Sequence, residues 1–214
     1  MKMEWIGHSC FRMTAADGTV AVTDPYDDSV GIRMIPLEAD LVTMSHDHHD
    51  HNNTGMLRKA PVIVRGLQEA CVGGFRTRAV ESWHDDAKGA RRGCNAIRLF
   101  DAEGLKIVHM GDQGCMPDEE ILSVIRNADV MMIPVGGFYT VDAHQASEII
   151  RATKPRCVIP MHVKTMRCTY PIETVRPFLA VMNAQDAQPV DSLELSPQAV
   201  PQGVVLMRPM ADEI

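Results

Sequence analysis

Short apolar runs alternate with polar, glycine and proline positions through the first half of the chain. This spacing is typical of β-strands separated by turns. The predicted strands are Met3–Gly7, Cys10–Thr14, Thr19–Thr23, Asp40–Ser45, Pro61–Arg65, Thr77–Trp83, Ala96–Asp101 and Leu105–Met110. The last two are joined by "DAEG", which is typical of a hairpin turn.

Helix signals appear in the second half. A helix is predicted from Pro117 to Asn127, and another from the Asp142 cap, with its capping-box partner Gln145, to Thr153. A third helix is predicted at Ile172–Met182, and further strands at Val130–Val135, Cys157–Met161 and Val204–Met207. A strand-rich half followed by alternating strands and helices predicts a mixed α/β fold of sheets covered by helices, as a single domain over residues 1–214.

Composition narrows the class of protein. The net charge is −7 and no block of lysine or arginine stands out, so we expect no nucleic-acid partner. No apolar run approaches the roughly 20 residues of a membrane span, so we expect no membrane partner. The six cysteines form no C-x-x-C pair and the first residues do not resemble a signal peptide, which favours the cytoplasm. A homo-oligomer is left open.

The tract "SHDHHDH" begins at Ser45, directly after the apolar run "ADLVTM". Alternate residues of an extended chain face the same side, so His46 and His48 can share one metal ion. Asp50 and His51 follow where the chain turns and can reach a second ion. Three other apolar runs end in comparable residues: "RAVESWH" in His84, "LKIVHMGD" in Asp112 and "RCVIPMH" in His162. We therefore predict a metal site assembled at the ends of four strands.

The order H-x-H-x-D-H, single His, G-D, single His resembles the metallo-β-lactamase superfamily across roughly residues 1–165. The segments "WIGHSCF", "TDP", "PVGGFYT" and "IPMHVKT" resemble a branch with ascorbate-6-phosphate lactonase-like proteins and uncharacterised metal-dependent hydrolases. The resemblance implies a four-layer αββα sandwich with metals at one edge, between the two sheets.

The resemblance also implies roles for the ligands. His46, His48 and His84 would hold one metal ion, Asp50, His51 and His162 a second, and Asp112 would bridge them. The two divalent ions would share a hydroxide, whose proton Asp50 could accept. We expect zinc, with manganese, iron, nickel and cobalt as alternatives.

Further residues are candidates near the site. We expect His8 to support the site as an outer hydrogen-bond partner, paired with Asp24. Lys164, or Arg91 and Arg92, would meet the charge of an anionic substrate. The remaining histidines, His49, His109 and His144, are expected to be bystanders.

The predicted function is hydrolysis of an ester, lactone or related bond in a small, anionic substrate. The same ions would equally serve a phosphodiesterase or nuclease, and a metal-binding protein without turnover is a further alternative. A diiron redox protein of this superfamily has Glu where this chain has His48, which disfavours that function. A β-lactamase proper is disfavoured because those enzymes are exported and often have Cys at the Asp112 position.

Overall fold

Two β-sheets form most of the structure, a computed structural model that describes residues 1–213. The first sheet has the strand order β12-β1-β2-β3-β4-β5 and the second the order β13-β11-β10-β9-β8-β7-β6. The strands are β1 Lys2–Gly7, β2 Cys10–Thr14, β3 Val20–Thr23, β4 Leu41–Met44, β5 Val62–Arg65, β6 Ala70–Val72, β7 Phe75–Trp83, β8 Cys94–Ala102, β9 Leu105–His109, β10 Val130–Pro134, β11 Cys157–Met161, β12 Leu193–Glu194 and β13 Gly203–Val204.

Three α-helices accompany the sheets: α1 Glu119–Ile125, α2 Ala143–Thr153 and α3 Arg176–Val181. The predicted capping box of α2 is confirmed, since the Asp142 side chain accepts from the backbone N–H of Gln145 and the Gln145 side chain accepts from that of Asp142. Helix α2 contacts both α1 and α3. None of the helices among the described residues is long and apolar enough to cross a membrane.

The first sheet is apolar on both faces. On β1 and β2, Met3, Trp5 and Phe11 belong to the main core, which also takes in the second sheet and the buried residues of the helices. Their neighbour Ile6, and Val42 on β4, belong to a separate outer cluster. Successive strand residues point to opposite faces, which explains this alternation.

The outer cluster is completed by the chain that follows β3, including Tyr26, Val30 and Leu37. This segment contains a 3₁₀ helix at Asp28–Val30, and a second lies at Met210–Glu213. The predicted sandwich of two packed sheets is therefore confirmed, with the α-helices of the described residues packed on the main core. The outer cover of the first sheet consists of loops and 3₁₀ turns instead.

Most predicted elements are confirmed, and the errors arise where contacts with other segments of the chain decide the local structure. The third helix starts at Arg176 rather than Ile172, because Glu173 donates its N–H to Gly136 and accepts from the N–H of Lys164, which holds it outside the helix. The predicted strand at Val204–Met207 shortens to Gly203–Val204. Strands β6 and β12 are short and were not predicted.

Strand direction decides where the site forms. In the second sheet β9, β10 and β11 are parallel, and β7 runs in the same direction because it is separated from β9 by the antiparallel β8. In the first sheet β4 is parallel to β3 and β5. The carboxyl ends of parallel strands meet at one edge of a sheet, where loops assemble sites.

Candidate metal centre

The ends of β4, β7, β9 and β11 bring the predicted ligands together. His46, His48 and His84 offer ring nitrogens that all lie within 4.8 Å of one another. Asp50, His51 and His162 form a second such group, together with His8. A third group, of His46, His51 and Asp112, joins the two. The structure thus brings all seven sequence-predicted ligands into one cluster, with His8 as an additional member of the second group.

Asp112 lies at the centre of this cluster. Its Oδ2 is 3.2 Å from Nε2 of His51 and 3.3 Å from Nε2 of both His84 and His162. The preceding residue, Gly111, has φ +56, and a Cβ there would lie 2.2 Å from Oδ1 of Asn95. That same Asn95 oxygen accepts the backbone N–H of Asp112. A glycine turn and a buried amide therefore set the position of the carboxylate.

Asp24 orients two histidines of the cluster. It accepts from Nδ1 of His51 at 2.9 Å and from the hydroxyl of Ser45 at 2.6 Å. The Ser45 hydroxyl oxygen in turn lies 2.9 Å from Nδ1 of His46. Because a carboxylate can only accept, both Nδ1 atoms are donors. Nε2 of neutral His46 therefore presents a lone pair to the cluster, and Nε2 of His51 does so once it has lost its proton.

His8 has a different partner from the one predicted. Its Nε2 lies 3.4 Å from Oδ2 of Asp50, whereas Asp24 is bonded to Ser45 and His51. The ring of His8 also lies 4.2 Å, centroid to centroid, from that of His162. Burial, followed by the neighbouring charge of His162, lowers the pKa of His8 to about 4, so its ring is neutral at neutral pH.

Strained backbone marks the same region. His8, Asp24 and His162 all have positive φ, of 49°, 37° and 51°. Non-glycine residues rarely adopt this left-handed conformation, which costs of order 1–2 kcal/mol each. The surrounding contacts hold it, for example through the backbone N–H of His162, which donates to the carbonyl of His8.

The donor set fits divalent metal ions. Nε2 of His46, His51 and His162 and Oδ1 of Asp112 are buried and have no hydrogen-bond partner among the described residues. Burial is costly for polar atoms left unpaired, and metal coordination satisfies such atoms. Imidazole nitrogens with carboxylate oxygens suit zinc and the neighbouring transition metals.

The protonation states of most of these groups suit coordination. Burial, then the charge of His51, lowers the pKa of His46 to about 3, so its ring is neutral. Burial disfavours the Asp112 carboxylate, but His162 and His51 hold its pKa well below the usual range. His51 is the exception, because the Asp112 and Asp24 carboxylates raise its pKa against the effect of burial. A metal ion must therefore displace a proton from His51.

Two cavities border the cluster. A cavity of about 440 Å³ is lined by the candidate site residues His48, Asp50, His84 and Asp112, together with Arg92, Tyr139 and Tyr170. A second, of about 750 Å³, is lined by His46, His48, Arg65, Arg92 and Cys94, among others. His48 and Arg92 line both cavities.

The structure brings only one of the predicted substrate cations to these cavities. Lys164 lines a separate, largely apolar cavity, and its Nζ donates to the carbonyl oxygen of Tyr170 at 2.7 Å. Arg91 is exposed and pairs with Asp86 at 2.9 Å. Of the three predicted cations, Arg92 therefore lies beside the cavities, in the position that was expected for Lys164.

The other histidines lie apart from the cluster of ring nitrogens. His109 is buried, with Nε2 donating to the carbonyl of Ser9 and Nδ1 accepting from Gly111. His49 is exposed and lies beside Ser29 and Asp27 at the rim of the smaller cavity, and His144 is exposed on α2.

Several contributors were missed from the sequence. Asn95 and Tyr170 carry no motif of their own, and Tyr139 lies within the segment "PVGGFYT" but was assigned no role. Asp85 had one available signal, its position directly after His84. The role of Ser45 could have been suspected because it lies between a buried strand and His46.

Residues 2–162 match the family described as beta-lactamase superfamily domain. With the fold and the histidine cluster, this match places the chain in the metallo-β-lactamase superfamily. A crystal structure from Thermotoga maritima, described as a candidate zinc-dependent hydrolase of that superfamily, is 30% identical. It has a TM-score of 0.79, with 96% of this chain and 97% of that chain covered.

Other relatives lie in the same group. A UPF0173 metal-dependent hydrolase of Thermoplasma acidophilum is 28% identical over 190 residues, which cover 77% of this chain and 84% of that protein. The metallo hydrolase Igni18 of Ignicoccus hospitalis is 19% identical with a TM-score of 0.69, covering 97% and 95% of the two chains, and supports the fold alone. The chain is thus related to proteins that are named metal-dependent hydrolases.

Proposed function

We propose that this chain is a metal-dependent hydrolase that holds two divalent ions and cleaves an ester, lactone or related bond in a small molecule. The position of Asp112 carries the proposal. Its Oδ2 lies within 3.3 Å of ring nitrogens from both histidine groups, His84 on one side and His51 and His162 on the other. A carboxylate at this position could coordinate two metal ions at once. We propose zinc first, with manganese, iron, nickel or cobalt as alternatives.

The protein would prepare the ligands before any ion binds. Asp24 and Ser45 hold the rings of His51 and His46 with Nε2 directed inward. Asn95 holds Asp112 through its backbone N–H. Such outer hydrogen bonds fix ring orientation and raise ligand affinity. The chemistry that the ions supply when bound is activation of water at neutral pH and polarisation of a substrate oxygen.

Asp50 is the proposed proton acceptor. Its Oδ2 lies 3.4 Å from Nε2 of His8 and 3.7 Å from Nε2 of His51, at the floor of the smaller cavity. Burial opposes ionisation, but contact with His8 and the charge of His51 keep the pKa of Asp50 below its usual range. The carboxylate is therefore ionised and able to take a proton from the attacking water, while His8 holds it in place.

The smaller cavity sets the size of the substrate. About 440 Å³ with Tyr139 and Tyr170 on its wall suits a small molecule. The same ions would also act on a phosphodiester, so that reaction is the alternative within this proposal.

Two measurements test the proposal. Elemental analysis of protein purified without chelator should find two ions per chain. Less than one ion, with no gain on adding zinc or manganese, would contradict it.

A panel of metal-loaded assays then separates the reaction classes: p-nitrophenyl esters, lactones, sugar-phosphate lactones, bis-p-nitrophenyl phosphate and short RNA. We expect turnover of an ester or lactone that disappears on chelation and returns with metal. Cleavage of RNA or of the phosphodiester alone would instead favour the phosphodiesterase alternative.

A further inference from the structure

A single buried carboxylate organises the loop after His84. Oδ1 of Asp85 accepts the backbone N–H groups of Ala87 and Gly89, at 2.8 and 3.0 Å, and Oδ2 accepts those of Arg91 and Arg92, at 2.9 and 2.7 Å. Asp85 is only 2% exposed. Charge-assisted hydrogen bonds of this kind are the stronger ones, so four of them to one carboxylate define the path of the loop.

The loop is also closed on itself. The N–H of His84 donates to the carbonyl of Gly93 at 3.1 Å, and the N–H of Gly93 donates to the carbonyl of Gly89 at 2.9 Å. Gly89 has φ +79, and a Cβ there would lie 2.9 Å from the carbonyl oxygen of Gly93. The loop therefore has a defined shape that ties Arg92 to His84, a predicted metal ligand.

Arg92 is held at the two cavities by contacts with Phe138 and Tyr139. Its Nη2 donates to the carbonyl oxygen of Phe138 at 3.3 Å, and its guanidinium lies 5.4 Å from the centroid of the Tyr139 ring. A guanidinium has five N–H donors, and this is the single side-chain hydrogen bond of Arg92 to the residues that the structure describes. The other donors are free to meet a ligand.

The charge of Arg92 is not neutralised by a neighbour. Of the two arginines that line the cavities, Arg65 lies 3.7 Å from a carboxylate oxygen of Asp47. Among the side chains that the structure describes, those of residues 1–211, Arg92 has no carboxylate oxygen within 4.0 Å, and it is half-buried. A half-buried cation without an acidic partner, beside a cavity that holds the candidate catalytic groups, is suited to an anion.

We propose that Arg92 binds the anionic group of the substrate, a carboxylate or a phosphate, and that Asp85 is the positioning residue that holds Arg92 there. This inference rests on the proposed hydrolase and adds the substrate class. The scissile bond would lie over Asp112, and the anionic group at the junction of the two cavities, where the fork of the guanidinium can make two parallel hydrogen bonds.

A matched pair of substrates tests it. p-Nitrophenyl acetate and mono-p-nitrophenyl succinate share a leaving group and differ in one carboxylate. Arg92→Ala should raise KM for the succinate ester about 10- to 100-fold, the range expected for loss of a hydrogen bond to a charged group. The acetate ester should change by less than about twofold. Arg92→Lys should recover part of the loss, because the charge returns without the fork.

Arg91→Ala is the matched control, since it removes the same charge from the neighbouring residue, which pairs with Asp86 outside the cavities. Arg91→Ala should leave KM for both esters unchanged. Asp85→Asn should reproduce the selective loss on the succinate ester with metal content retained, because an amide cannot accept all four N–H groups. Equal losses of Arg92→Ala on both esters, or equal effects of Arg91→Ala and Arg92→Ala, would overturn the assignment.

Binding gives a readout that does not need turnover. Succinate and inorganic phosphate should each raise the melting temperature of the metal-loaded protein and of Arg91→Ala, but not that of Arg92→Ala. If the protein hydrolyses nothing on the panel yet shows this pattern, the proposed reaction fails and the anion site stands. If Arg92→Ala responds like the unaltered protein, or no protein responds, the anion site fails whatever the reaction.

Discussion

Nδ1 of His51 donates a hydrogen bond to Oδ2 of Asp24 across 2.9 Å, and Nε2 of the same ring lies 3.2 Å from Asp112. Asp24 thus fixes the orientation of the His51 ring, whose other nitrogen faces the buried carboxylate of Asp112. Carboxylate–histidine pairs of this kind are a common outer layer of metal sites.

Asp24→Asn should therefore weaken metal binding without unfolding the protein. Asn tolerates the positive φ of this position, so little strain is added. We expect metal affinity to fall about 10- to 100-fold, as measured by competition with a chelator. Asp27→Asn, at a half-buried carboxylate nearby, is the control with the same change in charge. Equal affinity in both variants would show that the Asp24–His51 bond contributes nothing to the site.

Asp112→Ala should abolish turnover and reduce the bound metal while leaving the circular dichroism spectrum unchanged. The carboxylate is the only predicted ligand whose oxygen approaches rings from both histidine groups. A loss of at least about 100-fold in kcat/KM is expected for removal of such an electrostatic group. The comparison is Asp101→Ala, which removes an exposed carboxylate from β8. Two tightly bound ions in Asp112→Ala would contradict the bridging role.

Gly111→Ala should destabilise the protein more than a glycine substitution elsewhere. Gly18→Ala provides the measure, because Gly18 also has positive φ, +84, but its Cβ would meet nothing within 4 Å. Backbone strain alone should cost about 1 kcal/mol, or roughly 2–4 °C in Tm for a chain of this size. Gly111→Ala adds overlap with Asn95 and Ser45 and should lose several times as much, by calorimetry. Equal losses in Tm for the two variants would mean that the turn at Gly111 relaxes to accommodate the added methyl group.

The buried carboxylate of Glu4 should make stability depend on pH. Burial opposes its ionisation, but contacts with Lys2 at 2.8 Å and Arg12 at 2.6 Å lower its pKa. Ionised Glu4 therefore contributes to the free energy of unfolding at pH values above its pKa in the unfolded chain, about 4.3. This contribution is lost as the pH falls through the lower pKa that Glu4 has in the folded protein. Glu4→Gln should therefore be less stable by about 1–2 kcal/mol at pH 7, with the difference shrinking below pH 4, as measured by urea unfolding. A difference that stays constant down to pH 3 would exclude this linkage.

Much of the fold could be predicted because strand and helix signals are local. The alternation of apolar residues in β1 to β4 and the Asp142–Gln145 capping box depend on neighbours a few positions apart. Helix α3 was extended wrongly, because the carbonyl of Gly136 holds Glu173 from 37 positions away. Two short strands, β6 and β12, exist only through their pairing with longer strands.

The sequence by itself determined which residues could ligate metal, since four apolar runs each end in His or Asp and strand direction brings such ends to one edge. Only the tertiary structure decided which of the surrounding residues pair with each other and which of them reach the cavity. Asp24 pairs with His51 rather than His8, and His8 with Asp50. Arg92 reaches the cavity while Lys164, two residues after His162, turns to the carbonyl of Tyr170. The physical reason is that hydrogen bonds between segments far apart in the chain depend on distances and angles of an ångström or so, which only the packed sheets and loops define.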